Sequence, residues 1–178
     1  MFNVNKAIGE IIVIEGGYVD DPDDAGGATN YGITQKVYAR FLGVDADWIY
    51  LKHLIKQMPK STAALIYKQN YYYDLKIDLL PSKLQHQVMD ISINSGENRA
   101  YKILQKAIND LGVIKLVIDG RFGKKSWAAL DLLTKHLKDI NNKMVDFRRD
   151  FYLRTIEKKA SQLKYKNGWL NRAEKFRV

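Results

Sequence analysis

Apolar residues at Val4, Ala7, Ile8, Ile11 and Ile12 repeat with the i, i+3, i+4, i+7, i+8 spacing of one helix face, and that spacing returns segment by segment almost to the end of the 178-residue chain. A strand shows alternate residues to opposite faces, so a chain with this period has to bury its stripes helix against helix. Thr34 is placed to cap a helix carrying Val37, Tyr38, Phe41 and Leu42 that stops at Gly43. Asp47 can cap one around Trp48, Leu51 and Leu54, ending before Pro59. Ser61 opens another, through Tyr67 and Asn70 into the run Tyr71, Tyr72, Tyr73. Ser82 caps a helix through Val88 and Ile91 that ends near Asn94 and Gly96, and Glu97 to Leu111 forms the next, with Gly112 as its stop. Val113 to Ile118 reads as a short extended segment before a turn at Asp119-Gly120. Lys124 to Leu137, Asn141 or Asn142 to about Leu163, and a short helix after Gly168 complete the pattern. The expected fold class is all-α (mainly α), with one irregular or small β-hairpin excursion at about 17–33.

That excursion is the longest break in the period. Glu15 through Thr34 reads EGGYVDDPDDAGGATNYGIT and holds five of the twelve glycines and five carboxylates. Glycine- and acid-rich loops between periodic segments are where function usually sits. Glu15 falls four residues after Ile11, on the apolar stripe of the first helix, and Gly16-Gly17 then ends that helix. A carboxyl at a core-facing position in the last turn, against the negative end of the helix dipole, is pushed toward its protonated form. A protonated Glu near neutral pH is what a general acid needs.

Composition removes several other chemistries. Apolar content of 46% with 28% charged residues describes a globular chain, of a length that fits one domain or two small packed units. With no cysteine there is no disulfide framework and no thiolate metal site. His53, His86 and His136 are scattered, with no paired-histidine helix motif. A calcium loop begun at Asp21 would place Ala25 and Gly32 where ligands are required. No metal and no cofactor is therefore expected. The N-terminal segment has no basic leader, and no stretch is long and apolar enough for stable membrane insertion. Residues 1–90 carry 9 basic and 11 acidic side chains, a net −2, while residues 91–178 carry 20 and 9, a net +11. That asymmetry points to a polyanionic partner: nucleic acid, an anionic membrane, or the bacterial wall. Lys and Arg are spread around several helices instead of lining one recognition helix, which argues against nucleic acid.

The motif Glu15-Gly16-Gly17-Tyr18, Asp21-Pro22-Asp23-Asp24, Gly26-Gly27-Ala28-Thr29-Asn30-Tyr31-Gly32-Ile33-Thr34 resembles the signature of glycoside hydrolase family 108, phage- and prophage-associated N-acetylmuramidases. The resemblance continues through Tyr72, Asp90, Asn94 and Gly96, then through Gln105, Asp119-Gly120, Gly123, Gly168-Trp169 and Arg172 in a region similar to that family's peptidoglycan-binding segment. It implies a lysozyme-like fold divided into a catalytic part at 1–94 and a wall-binding helical part at 95–178. It implies hydrolysis of the β-1,4 bond between N-acetylmuramic acid and N-acetylglucosamine, with bacterial peptidoglycan as partner and Glu15 as catalytic acid. The resemblance extends to phage lysozymes of the same superfamily, which place an Asp about nine residues after the Glu and a Thr some five or six further on, here Asp24 and Thr29. Asp20, Asp21 and Asp23 compete with Asp24 for the water side of the reaction. Asn30, Tyr31, Tyr72 and Asn94 are candidates for sugar contacts. The resemblance also implies synthesis in the cytoplasm and passage to the wall through a holin or another non-classical export system. Rival readings are a lytic transglycosylase, which forms a 1,6-anhydro end without adding water, and a non-catalytic wall-binding or secretion-assembly protein.

Overall fold

The computed structural model describes residues 2–20 and 27–178. The chain forms two compact units, residues 3–75 and residues 76–178 together with Phe2.

The first unit is organised by helix α1 (Val4–Glu15), whose Asn3 cap accepts a hydrogen bond from the Lys6 amide at 3.0 Å. Its buried face, Ala7, Ile8, Ile11 and Ile12, packs on helix α4 (Lys60–Lys68) at Ala63, Ile66 and Tyr67. Each such isoleucine, fully buried, contributes about 1.5–3 kcal/mol relative to exposure. Strands β1 (Thr29–Asn30) and β2 (Ile33–Thr34) pair antiparallel, Thr29 opposite Thr34 and Asn30 opposite Ile33. Tyr31 and Gly32 link them with φ of +51° and +74°, the double positive φ of a type I′ turn. Val19 adds a bridge to Thr29. Helix α2 (Gln35–Leu42) is capped by Thr34 and closed by left-handed Gly43, as the sequence predicts. Helix α3 (Leu51–Lys56) starts later than the Asp47 cap implies, because Trp48–Tyr50 form a turn. After α4 the helix continues as a π-turn, Gln69–Tyr73, in which the Asp74 amide donates to the Gln69 carbonyl at 2.9 Å.

In the second unit, helices α5 (Ser82–Ser95), α6 (Glu97–Asp110) and α8 (Leu137–Lys158) share a core that includes Leu84, Val88, Leu104, Ile108, Ile140 and Met144. Helix α9 (Lys166–Glu174) closes on α8 through Val145, Tyr152, Ala173 and Trp169. Asp90 of α5 is buried and accepts from Arg148 of α8 at 2.5 Å and from Arg172 of α9 at 2.7 Å. Helix α7 (Lys124–Leu132) ends five residues before the predicted boundary. The chain turns at buried Leu133 through one 3-10 turn, with no glycine or proline to mark it, and α8 begins at Leu137. Likewise α8 stops at Lys158, short of Leu163, and α9 runs through Gly168 instead of starting after it.

The predicted extended segment at 113–118 is not a strand. Side-chain amides hold it instead. Asn109 donates to the Leu116 carbonyl at 2.8 Å and accepts from the Leu116 amide at 2.7 Å. Asn98 donates to the Asp119 carbonyl at 2.9 Å, and Gln105 donates to the Arg121 carbonyl at 3.1 Å.

Candidate active site

Glu15 is the last residue of α1, and Gly16, with φ of +78°, turns the chain away directly behind it. The helix adds no further turn to cover the carboxyl, so the side chain is exposed. The partial burial expected from helix register is corrected on this point. Its aliphatic stem is nevertheless fixed. A methyl group built on Gly32 would stand 2.9 Å from Glu15 Cγ and too close to the Tyr67 hydroxyl. The turn backbone, the Glu15 stem and the Tyr67 hydroxyl therefore meet with no space for a side chain between them.

Tyr67 is buried and its hydroxyl donates to the Tyr31 carbonyl at 3.1 Å, holding a non-glycine residue in the left-handed conformation the turn requires. Burial raises the Tyr67 pKa above the ordinary tyrosine value, and the negative charge of Glu15 raises it further. Tyr71 is raised by the same two causes in the same order. The two rings lie 5.6 Å apart, so two phenols held neutral share the neighbourhood of Glu15. Four-residue spacing puts them on neighbouring turns of one face, and the π-turn that carries Tyr71 is a feature often found at functional sites.

The other sequence candidates fall into different places. Thr29 is half-buried on β1, its hydroxyl 3.5 Å from the Gly27 carbonyl. Asn30 is only 3% exposed. Its amide donates to the carbonyls of Ile55 at 2.8 Å and Lys56 at 3.3 Å. That ties the hairpin to the end of α3, a fold role in place of the expected sugar contact. Tyr31 is half-buried at the hairpin tip, with the Lys60 ammonium 5.9 Å from its ring centre. Tyr72 packs edge-on against Tyr73 at 5.3 Å, while Tyr67 and Tyr71 are the tyrosines beside Glu15. Asn94 belongs to the second unit, exposed in the last turn of α5, its amide donating to the Asp90 carbonyl at 2.6 Å. Asp24, with Asp21 and Asp23, lies outside the described residues. Asp20 is described: it pairs with Lys52 at 3.1 Å and accepts a hydrogen bond from Tyr18.

The sequence placed Tyr67 on this helix with no site role and named Tyr72 of the following run as the sugar contact. The missed signal was the 67/71 spacing, in phase with the stripe that buries Ala63 and Ile66 against α1.

The family model described as Glycosyl hydrolase 108 matches residues 8–96, half of the chain, including Glu15, the hairpin and the Tyr67–Tyr71 pair. The chain belongs to glycosyl hydrolase family 108. A second family model, described as Predicted Peptidoglycan domain, matches residues 99–174. Among solved structures, that of Brucella abortus SagA is similar at 31% identity and a TM-score of 0.70, covering 97% of this chain and 90% of that one. No curated protein matches. This family 108 member is thus a glycoside hydrolase of the muramidase type acting on peptidoglycan, with a mainly-α lysozyme-like fold, as its EGGY motif and helical period implied.

Proposed function

We propose that the enzyme is an N-acetylmuramidase that hydrolyses the β-1,4 bond between N-acetylmuramic acid and N-acetylglucosamine, with Glu15 as general acid. The observation that carries this reading is the setting of Glu15. Its stem lies against Gly32 and the Tyr67 hydroxyl and its charge acts on Tyr67 and Tyr71, yet it is open to solvent. A general acid has to be fixed in direction and reachable by the glycosidic oxygen, and this arrangement supports both. Removal of water around the carboxyl is then left to the bound glycan.

In this mechanism Glu15 donates its proton to the glycosidic oxygen as the bond to the anomeric carbon breaks. Water adds at that carbon, assisted by Asp24 and held by Thr29, which is anchored on β1 beside the turn. Asp20 is a poorer choice for the water side, since Lys52 and Tyr18 already engage it. Tyr31 and Tyr72 are retained as sugar contacts in the first unit. Asn94 is retained as one from the second, within a division into a catalytic part at 1–94 and a wall-binding part at 95–178.

The deciding experiment is Glu15→Gln assayed on purified peptidoglycan with mass analysis of the products. Loss of about 10²- to 10⁴-fold in rate is expected, with thermal stability unchanged, because glutamine keeps the shape of the exposed side chain. Wild-type products should carry one added water per cleavage. A variant that clears walls at the normal rate would sink the assignment, and 1,6-anhydro ends would reassign the enzyme as a lytic transglycosylase.

A further inference from the structure

Helices α6 and α8 both repeat a seven-residue ladder along the seam where they pack. On α6 it runs Arg99, Ile103, Lys106; on α8 it runs Phe147, Phe151, Arg154. The open side of that seam is a groove of about 430 Å³ within the second unit, with Lys102 also on its wall. Its floor is apolar, made by buried Ile103 and the half-buried rings of Phe147 and Phe151.

The cations are fixed by what they cover. The Arg99 guanidinium lies 4.2 Å from the Phe151 ring centre, and the Lys106 ammonium 5.9 Å from that of Phe147. The carboxylates on the rim already have partners: Asp110 pairs with Lys143 at 2.7 Å and Asp150 with Arg154 at 3.9 Å. Arg99, Lys102 and Lys106 make no ion pair among the described residues. Three positive charges within two helical turns, over an apolar floor, are left for a ligand to neutralise.

We infer that this groove binds the carboxylate-bearing peptide stems of peptidoglycan. Neutral glycan is a poor occupant, because sugar rings stack on open aromatic faces and these faces carry cations. A long polyanion needs its cations to continue along a track, whereas the Asp110–Lys143 pair follows Lys106 one turn further along α6. A short peptide with methyl groups and free carboxylates matches both the apolar floor and the discrete positive charges. This deepens the wall-binding part of the reading above and does not depend on which residue is the catalytic acid.

The test uses the full chain carrying Glu15→Gln and two ligands: a soluble L-Ala–γ-D-Glu–diamino acid–D-Ala tetrapeptide, and a neutral oligomer of β-1,4-linked N-acetylglucosamine. Arg99→Glu with Lys106→Glu should weaken tetrapeptide binding at least tenfold by calorimetry and leave any binding of the neutral oligosaccharide unchanged. Arg99→Ala with Lys102→Ala, milder in charge, should give a smaller loss in the same direction and serves if the reversal does not fold. Undiminished tetrapeptide binding by a folded groove variant overturns the inference. So does displacement of the tetrapeptide by duplex DNA at lower concentration than by intact stem peptide. If Glu15→Gln proved fully active, the catalytic assignment would fail while this binding measurement still stood.

Discussion

At Gly32 the difference between a hydrogen and a methyl group decides whether the acid can stand where it does. The residue combines a φ of +74° with contact to both Glu15 and Tyr67, so an added Cβ meets backbone strain and two side chains at once. Gly32→Ala is expected to destabilise the protein by about 1–3 kcal/mol, the usual range for forcing a methyl into a packed site. Wall-clearing activity should fall more than stability does, because the atoms displaced belong to Glu15 and to the phenol beside it. Urea unfolding and a turbidity assay on the same preparation separate the two effects. The site was legible at this scale where a backbone device has a fixed residue type. Gly16 ends α1, as the motif implied, and a hairpin lies within the 17–33 excursion, with its turn at Tyr31-Gly32. It was not legible where the answer depended on which face a side chain finds. Helix register put Glu15 on the apolar stripe, and only the end of the helix at that same residue leaves it exposed. Asn30 looked like a polar group available to sugar until the carbonyls at the end of α3 claimed it.

Elements in the second unit are tied by one buried acid. Asp90 joins α5 to α8 and α9 through Arg148 and Arg172, and Arg148 is fully buried with its Nη1 making no hydrogen bond among the described residues. Its Nε donates to the Tyr152 hydroxyl at 2.9 Å, so among the described residues Asp90 supplies the one negative charge it pairs with. Asp90→Ala leaves a guanidinium uncompensated in the core and should cost about 3–5 kcal/mol, read as a lower denaturant midpoint. A variant as stable as the parent would show that water reaches Arg148. Helix identity came through well at this scale, because a 3.6-residue stripe survives any tertiary arrangement. Boundaries came through where a cap or glycine marks them, as at Thr34, Gly43 and Gly112. The break between α7 and α8 carries no such mark: burial of Leu133 and Ile140 sets it, and that is a property of the packed unit. The segment after Gly112 failed for a related reason, since β-branched residues suggested a strand where amide side chains supply the partners.

For the molecule as a whole, titration should define a plateau of stability with two edges. Tyr67 and Tyr71 in the first unit and Tyr101 in the second have pKa values raised above 10 in the fold, chiefly by burial. The unfolded chain releases these protons first, so their contribution is intact below pH 10 and is lost as pH climbs through the folded values. Asp119 and Glu174 shift the other way, held low chiefly by hydrogen bonds from Gln105 and Arg177 respectively. Their contribution is present above the ordinary carboxylate range near 4 and disappears as pH drops through the folded values. The melting temperature should therefore be flat from about pH 5 to about pH 9.5 and fall on both sides. Tyr101→Phe should soften the alkaline edge. A melt unchanged through pH 11 would contradict this account.

The fastening of residues 113–121 has a consequence of another kind. Its cross-links are largely neutral amides from Asn98, Gln105 and Asn109, groups that carry no charge at any working pH. A bacterial wall is a dense ion exchanger, and its local proton and salt concentrations differ from those of the medium. Neutral ties hold their grip across such a gradient, while surface pairs such as Arg177 with Asp146 loosen as salt rises. The same chemistry sets a clock. Hydrolysis of the Asn109 amide to a carboxylate turns a donor into a second acceptor facing the Leu116 carbonyl, so slow deamidation during storage would unfasten this loop before the helices around it.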